Sequence, residues 1–173
     1  GNHTHQTSMT QPDGGYRVYL GLGSNINPES YLPRAVNCLS KFLQVEAVSS
    51  AWQSPAIGSD GPDFLNAVVQ VRTDLLPQQL KHEVTCRIEE ELNRVRTDDR
   101  YGPRTIDIDI LIFNSQVIDP EIWQFAHHAV PLAELLPDLT NPDTLEPLIT
   151  IAERQKSASG IAHRPDVLFQ SGN

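Results

Sequence analysis

The sequence predicts an α+β fold, with helices packed on an antiparallel β-sheet. Residues 16–114 alternate between β-type and helical patterns in the order strand, helix, strand, strand, helix, strand. The chain of 173 residues can bury one core and is too short to favour more than a single compact domain. We therefore expect one domain over residues 15–160, a loose N-terminal tail at 1–14 and a loose C-terminal tail at 161–173.

The first strand and the first helix are delimited by turn residues. Residues 16–22 are rich in β-forming side chains and end at Gly23-Ser24-Asn25, which predicts a tight turn. Asn27 can cap the helix that follows, and Pro28 suits its first position. Apolar residues at spacings of three and four predict its buried face, formed by Leu32, Ala35, Val36, Leu39 and Leu43.

Two further strands are expected at residues 45–52 and 64–73, the second with apolar and polar side chains in alternation. Residues 53–63 between them are rich in proline and glycine, which predicts a long loop. Long loops inside compact domains are often functional.

The second helix is predicted to begin at Pro77 and to carry an apolar stripe as far as Val95. The basic segment 94–104 that follows is expected to be a loop, because Gly102 and Pro103 break any helix.

Residues 105–114 form the last clear strand and complete the ferredoxin-like βαββαβ order, also called the split β-α-β arrangement, with helices on one face of the sheet. We expect a short helical C-terminal extension after it, with helices near residues 131–136 and 145–154.

Composition argues against some classes of function. A formal charge of -9 and a pI near 5.0 disfavour a chain that mainly neutralises nucleic-acid phosphates. No apolar run approaches the roughly 18 residues that a membrane span needs. Cys38 and Cys86 lie in helical patterns without CxxC spacing, so we expect reduced cysteines in a cytoplasmic protein. Residues 1–14 lack the features of a signal peptide, and His3 and His5 are expected to belong to a loose polar terminus.

The strand at 105–114 carries the most distinctive polar pattern in the chain. Because side chains alternate along a strand, two sets of four are expected on opposite faces. One face takes Ile106, Ile108, Ile110 and Ile112, and the other takes Asp107, Asp109, Leu111 and Phe113. The two aspartates would lie about 6–7 Å apart at the backbone, where they can bind one hard cation or a close pair. A DxD unit without a third acid nearby favours Mg²⁺, whereas a solvated acidic face is the alternative interpretation.

Arginines upstream of this strand favour the metal-binding interpretation. Arg94, Arg96, Arg100 and Arg104 lie on the loop that ends where the strand begins. A divalent metal beside several guanidinium groups suits the transfer of a phosphoryl group. Ordinary surface ion pairs are the alternative for any one of the four.

Several segments resemble the 6-hydroxymethyl-7,8-dihydropterin pyrophosphokinase family of folate biosynthesis. The most specific is Tyr-Gly-Pro-Arg-Thr-Ile-Asp-Ile-Asp-Ile at residues 101–110. The other matching segments are residues 22–25, 48–50, 54–55, 63–67 and 94–96. The resemblance implies the ferredoxin-like fold and transfer of the β,γ-diphosphate of ATP to the hydroxymethyl oxygen of a reduced pterin, with release of AMP and with two Mg²⁺ ions.

The resemblance also implies roles for individual residues. Asp107 and Asp109 would hold the metals, and Arg94 and Arg104 would be catalytic residues that cover the phosphates. The nucleotide-binding residues would be Glu89, Arg96, Arg100, Tyr101 and Ile110. The pterin-binding residues would be Ser54, Pro55, Ile57, Phe64 and Asn66, although core packing for Phe64 and a backbone hydrogen bond for Asn66 are the alternatives. We expect ATP and the pterin as partners of a monomer, with no nucleic acid and no membrane.

The chain departs from the family pattern after Ile118. Its connection to Pro131 is several residues shorter than in the family, and the family's nucleotide-facing histidine has no counterpart by spacing. When the chain is aligned with the family on Pro131, His127 falls where the family has a pterin-stacking phenylalanine, and Phe125 falls at an arginine position. His127 and Phe125 are therefore candidate pterin contacts. For the adjacent His127 and His128 we expect an exposed or partly packed loop rather than a metal site.

Three functions remain open from the sequence. The first is an ATP:pterin diphosphokinase, favoured by the metal-arginine cluster and by the resemblance. The second is a diverged paralogue that keeps the Mg-ATP site but has another acceptor or weak activity, which the shortened segment suggests. The third is a non-catalytic ferredoxin-like binding module.

Overall fold

One antiparallel sheet organises this computed structural model, which describes residues 14–95 and 102–168. Within those residues the strands are Tyr16–Ser24 (β1), Gln44–Val48 (β2), Ala51–Ser54 (β3), Phe64–Thr73 (β4), Asp107–Phe113 (β5), Gln116–Val117 (β6) and Ala162–Arg164 (β7). The longer helices are Pro28–Phe42 (α1), residues 77–91 (α2), Ala126–Leu135 (α3) and Leu148–Ser159 (α4). Within α2, the segment Lys81–Thr85 is π-helical, and a 3₁₀ helix at Pro120–Trp123 precedes α3.

The strand pairing confirms the predicted α+β fold with an antiparallel sheet. β4 pairs with β1 on one side and with β2 and β3 on the other, and β5 pairs with the free side of β1. Helix α1 therefore connects β1 to β2 across β4, and α2 connects β4 to β5 across β1. This is the split β-α-β arrangement that the order of elements predicted.

Helices cover both faces of the sheet, not one as the sequence predicted. The buried side chains of α1 and α2 form one core with the inward residues of β1 and β4. The C-terminal extension forms a second core on the opposite face, where α3 and α4 pack on Val68 and Leu111. The difference arises because apolar side chains occupy both faces of the central strands, so each face gains from being covered.

The alternation predicted along β5 is wrong beyond Ile110. A register shift against β1 inserts one extra residue, Leu111, between Ile110 and Ile112. Because a bulge reverses the phase of a strand, Ile112 joins Leu111 in the core beneath α3 and α4, and Phe113 joins Ile108 in the other core. Asp107 and Asp109 precede the bulge and keep the common face predicted for them.

The C-terminal prediction of a loose tail from residue 161 is wrong for the part that the structure describes. Ala162–Arg164 pairs with β3, and Val167 and Leu168 are buried in the core under α1. Arg164 also donates to Gln53 Oε1 at 2.7 Å. Residues 162–164 pair with an edge of β3 that would otherwise be open, and this backbone pairing explains why they form a strand.

Several element boundaries also differ from those predicted. The strand expected at residues 45–52 is divided into β2 and β3, because Ser49 and Ser50 leave the ladder there. Helix α2 ends at Glu91, and Val95 is 75% exposed rather than part of a buried stripe. Asn27 precedes α1 in a left-handed conformation without a side-chain capping bond. Among the described helices, none is long and apolar enough to cross a membrane.

Candidate active site

A cleft opens over the adjoining ends of β1, β4 and β5. The strand registers place Asp107 opposite Gly23, and Gly23 opposite Asn66, so that these residues form one row across three strands. Gly21, two residues earlier on β1, stands opposite Asp109. The cleft therefore has an acidic side on β5 and an amide on β4, separated by glycines.

The two glycines make the floor of the cleft, which the sequence reasoning missed. A Cβ on Gly21 would come within 3.1 Å of Leu111 and 3.3 Å of His128 Nδ1. A Cβ on Gly23 would meet Asn66 and Phe64 at ordinary contact distance and would fill space in the cleft. Two glycines on the same face of a strand were the available signal, since glycine inside a strand often marks a close approach by a ligand or another group.

The carboxylates of Asp107 and Asp109 have different environments. Asp107 accepts a hydrogen bond from Arg94 Nη1 at 2.7 Å, and its second oxygen lies 3.7 Å from Arg104 Nη1. Asp109 points into the open cleft. Partial desolvation by the surrounding walls, together with the adjacent Asp107 carboxylate, raises the pKa of Asp109 to about 8.

Oxygen ligands at this position fit Mg²⁺. The pKa of Asp109 is raised first by burial and then by the adjacent Asp107 carboxylate, and a divalent cation bound by the two acids would offset both effects. Two carboxylates that face a wide cleft also leave room for the water and phosphate oxygens that complete magnesium's octahedral shell.

Glu89 connects helix α2 to this acidic side. Its carboxylate is buried, at 3% exposure, and accepts hydrogen bonds from Arg94 Nη1 and from the backbone N–H of Ile108, both at 2.8 Å. Arg94 thus bridges Glu89 and Asp107. The contact with nucleotide implied for Glu89 stays a prediction. Arg96, Arg100 and Tyr101 lie outside the described residues.

The predicted pterin-binding residues share the cleft with the aspartates. Its walls include Ser54, Pro55, Ile57, Phe64 and Asn66. Asn66 is buried, and its Nδ2 donates to Trp52 O at 3.0 Å and to Ser54 Oγ at 2.8 Å. The backbone hydrogen bond considered for Asn66 is therefore present, and it fixes the amide so that Oδ1 faces Gly23.

Ile110 lies outside this cleft and lines an adjoining groove between β5 and helix α2. Lys81 and Thr85, from the π-helical part of α2, line the opposite side of the groove. Asp109 borders both spaces, so the groove and the cleft meet at the acidic pair.

Asn25 is a further residue that the sequence reasoning did not assign. Its Oδ1 accepts from the backbone N–H of Arg104 at 2.8 Å, and its own N–H donates to Arg104 O at 3.1 Å. Its Nδ2 donates to Pro62 O at 3.2 Å. This one buried side chain therefore fixes Arg104 relative to the loop at residues 55–63.

Residues 119–128 form the remaining wall of the cleft. Phe125 and His127 stack with centroids 5.5 Å apart, and the His127 and His128 rings are 4.2 Å apart. The prediction of a loop for the two histidines is wrong, since both lie in the first turn of α3 and line the cleft. Burial lowers the pKa of His127 to about 3 and that of His128 to about 4, so both are neutral at pH 7.

Asp119 and Glu121 were missed by the sequence reasoning, and His128 was predicted to lie in a loop away from any metal site, although all three line the cleft. No periodic pattern could identify them, because they lie on a 3₁₀ helix and on the first turn of a separate helix.

These features define an α+β enzyme site suited to a metal-polyphosphate complex at one end and a planar, hydrogen-bonding ring at the other. The family model described as 7,8-dihydro-6-hydroxymethylpterin-pyrophosphokinase (HPPK) matches residues 19–137. The chain belongs to this family.

Curated bacterial relatives named 2-amino-4-hydroxy-6-hydroxymethyldihydropteridine pyrophosphokinase support this membership. The protein from Aquifex aeolicus is 36% identical over 141 residues, which cover 76% of this chain and 87% of the relative. The protein from Bacillus subtilis is 40% identical over 130 residues, covering 68% and 77%. The protein from Methylorubrum extorquens is 41% identical over 135 residues, covering 71% and 84%.

Solved structures of Plasmodium falciparum HPPK-DHPS share the fold. The wild-type structure superposes with a TM-score of 0.64 at 13% sequence identity, covering 82% of this chain and 41% of that chain. The wild-type complex with SDX-DHP gives a TM-score of 0.63 and covers 82% and 44%. The chain thus spans about two fifths of these longer proteins, and at this identity the likeness concerns the fold alone.

Proposed function

We propose that this protein transfers the β,γ-diphosphate of ATP to the hydroxymethyl oxygen of 6-hydroxymethyl-7,8-dihydropterin, releases AMP, and so acts in folate biosynthesis. The observation that carries the proposal is the row of Asp107, Gly23 and Asn66 across one cleft. The polyphosphate of ATP, bound through metal at Asp107, and a pterin ring hydrogen-bonded to Asn66 would meet in this cleft. The sheet would not need to rearrange.

At the acidic end, Asp107 and Asp109 hold Mg²⁺, and we propose two ions. When bound, these ions neutralise the charge of the polyphosphate and favour its reactive geometry. Arg94 and Arg104 lie beside Asp107, so their guanidinium groups can contact phosphate oxygens at the same end of the cleft. Arg96, Arg100 and Tyr101 are proposed to contribute to nucleotide binding from the adjoining segment.

At the other end, Asn66 reads the hydrogen-bonding edge of the pterin with its Oδ1. Its amide needs no reorganisation on binding, because Ser54 and Trp52 already hold the Nδ2 group. Phe64, Ile57 and Pro55 supply apolar contact for the ring. Phe125 and His127 add a stacked pair of rings in the facing wall, and neutral His127 can pack against a pterin without the cost of desolvating a charge.

The nucleoside is proposed to occupy the groove lined by Ile110, Lys81 and Thr85, since this groove meets the cleft at Asp109. Its polyphosphate would then extend over the acidic pair toward the pterin hydroxymethyl group. The hydroxyl oxygen forms a bond to the β-phosphorus, the α,β-bridging bond breaks, AMP leaves, and the hydroxyl proton passes to solvent. Positioning and charge neutralisation dominate such a reaction, so it does not require a strong base.

The reaction is tested by incubating the full chain with ATP, Mg²⁺ and 6-hydroxymethyl-7,8-dihydropterin and measuring AMP. AMP should appear in equal amount to the diphosphorylated pterin, and only when the pterin is present. Formation of ADP, or AMP release that does not depend on the pterin, would falsify the proposal. We further propose that the protein acts as a monomer in the cytoplasm, which size-exclusion chromatography with light scattering and cell fractionation can check.

The second candidate function is transfer of diphosphate from Mg-ATP to an acceptor other than the pterin. The wall at residues 119–128 supports this candidate. Asp119 and Glu121 place two acids there beside the stacked rings of Phe125 and His127. Fluorescence titration with the pterin, in the presence of Mg²⁺ and a non-hydrolysable ATP analogue, separates the candidates. Nucleotide binding without pterin binding would favour the second one.

A further inference from the structure

We infer that Asp119, Glu121 and His128 form a second cation site, selective for divalent transition-metal ions and distinct from the Asp107 and Asp109 pair. Each of the three side chains offers one ligand atom, and these atoms lie within 4.8 Å of one another. The inference does not depend on the transfer reaction, because it concerns binding in the absence of ATP and pterin.

The imidazole of His128 is fixed with one edge toward the two acids. The residue is 9% exposed, its ring contacts the His127 ring, and its Nδ1 lies over Gly21 of β1. Its Nε2 is 3.9 Å from Asp119 Oδ2, which is too far for a hydrogen bond. Among the described residues, no side-chain hydrogen bond to His128 is present. A buried ring nitrogen that faces a carboxylate at this distance can share a cation with it after a small side-chain movement.

Asp119 and Glu121 each have a carboxylate oxygen that is available to bind a cation. Asp119 uses Oδ1 to accept the backbone N–H of Glu121 at 2.9 Å, which begins the 3₁₀ helix and leaves Oδ2 toward His128. Glu121 is exposed, so its longer side chain can turn toward the same point. Within residues 14–95 and 102–168, neither acid forms an ion pair with lysine or arginine. Asp109 borders the same space.

The donor set selects the class of ion. Mg²⁺ and Ca²⁺ prefer oxygen ligands alone, whereas one imidazole nitrogen with two carboxylates suits Zn²⁺, Co²⁺ or Mn²⁺. Three protein ligands also leave at least one coordination position open toward the cleft. The site therefore differs in selectivity from the all-oxygen pair on β5.

Titration of the metal-free full chain with Co²⁺, followed by its visible d–d absorption, tests the inference. His3→Ala and His5→Ala together provide the starting protein, because histidines near a terminus can bind metal by themselves. We expect one equivalent of Co²⁺ with a spectrum typical of nitrogen and oxygen ligands, retained in excess Mg²⁺. Glu121→Gln and His128→Gln should each weaken binding by at least about 10-fold.

Two control variants make the result specific. His163→Gln removes an exposed histidine on β7 and should leave Co²⁺ binding unchanged. Asp109→Asn should retain the Co²⁺ spectrum, because Asp109 is not a ligand of this cluster. If circular dichroism shows that His128→Gln disturbs folding, the Co²⁺ affinity of the exposed Glu121→Gln variant alone tests the cluster. Absence of Co²⁺ binding, or binding that Asp109→Asn abolishes and Glu121→Gln leaves intact, would overturn the inference.

Discussion

The two walls of the cleft are held in place by different kinds of structure. On β5, backbone pairing with β1 sets the positions of Asp107 and Asp109 opposite glycines. In the wall at residues 119–128, the side chains are positioned by a 3₁₀ helix, by the first turn of α3 and by the fully buried side chain of Ile122. The first wall is therefore fixed by a strand ladder, and the second by short helical turns that pack on the sheet. We propose that the β5 wall carries the metal and phosphate chemistry and that the wall at residues 119–128 influences the choice of acceptor.

The largest expected effect comes from the β5 wall. Asp107→Asn removes a proposed metal ligand and the partner of Arg94 and Arg104, so we expect kcat for AMP formation to fall by at least about 10²-fold. Steady-state assays of AMP formation at saturating Mg²⁺ measure this fall in kcat. Glu153→Gln, on the exposed face of α4, is the matched control and should keep normal kcat. A kcat within a few-fold of wild type for Asp107→Asn would contradict the role of this wall.

Asn66, on β4, tests the proposed pterin end of the cleft. Asn66→Ala removes the group proposed to hydrogen-bond the pterin and also removes the Nδ2 donor to Ser54 Oγ, so KM for the pterin should rise by about 10–100-fold. KM for ATP should change little. Gln70→Ala lies four residues further along β4, outside the cleft, and serves as the control. An equal rise in both KM values would show that the strand had been disturbed.

The sequence predicted the strand wall because its information is local and periodic. Alternation along residues 105–114 was sufficient to place Asp107 and Asp109 on one face, although it failed beyond Ile110, where a bulge reverses the phase. The wall at residues 119–128 depends on how a short connection closes over the sheet. Asp119 and His128 approach only through that tertiary closure, so no spacing along the chain reveals them.

Asn25 is expected to have a smaller effect, because it acts through Arg104. Asn25→Ala removes the acceptor for the Arg104 N–H and the donor to Pro62, and we expect kcat/KM to fall by about 10-fold from the loss of two hydrogen bonds. Asn25→Asp keeps the acceptor and should recover part of this loss. Equal activities for the two variants would contradict a positioning role for the contact with Arg104.

The two walls should also respond to pH in opposite directions in the metal-free protein. The pKa of Asp109 is raised to about 8, so its contribution to stability is complete below pH 4 and is lost as pH rises through about 8. Asp109→Asn should therefore raise Tm near pH 9, by about 2–4 °C for each kcal/mol recovered. Mg²⁺ should stabilise the wild type and not this variant, as thermal melts followed by circular dichroism can measure.

In the wall at residues 119–128, the protonation of His127 is expected to affect stability. Its pKa is lowered to about 3, so its contribution to stability is complete above about pH 6.5 and is lost as pH falls toward 3. His127→Phe retains a ring and removes this titration, so its Tm should fall less than that of the wild type between pH 7 and pH 4. Identical acid dependence in the two proteins would show that protonation of His127 does not limit stability.

We propose that the metal-polyphosphate complex and the pterin occupy one cleft at the same time. Paramagnetic relaxation of pterin protons by Mn²⁺, bound with a non-hydrolysable ATP analogue, tests this in a Glu121→Gln background, where the cluster of Asp119, Glu121 and His128 is weakened as a competing Mn²⁺ site. We expect strong relaxation of the hydroxymethyl protons, weaker relaxation of protons at the ring edge that faces Asn66, and loss of the effect when Asp109→Asn is added. Unchanged relaxation of a pterin that is fully bound together with Mn²⁺ and the analogue would contradict it.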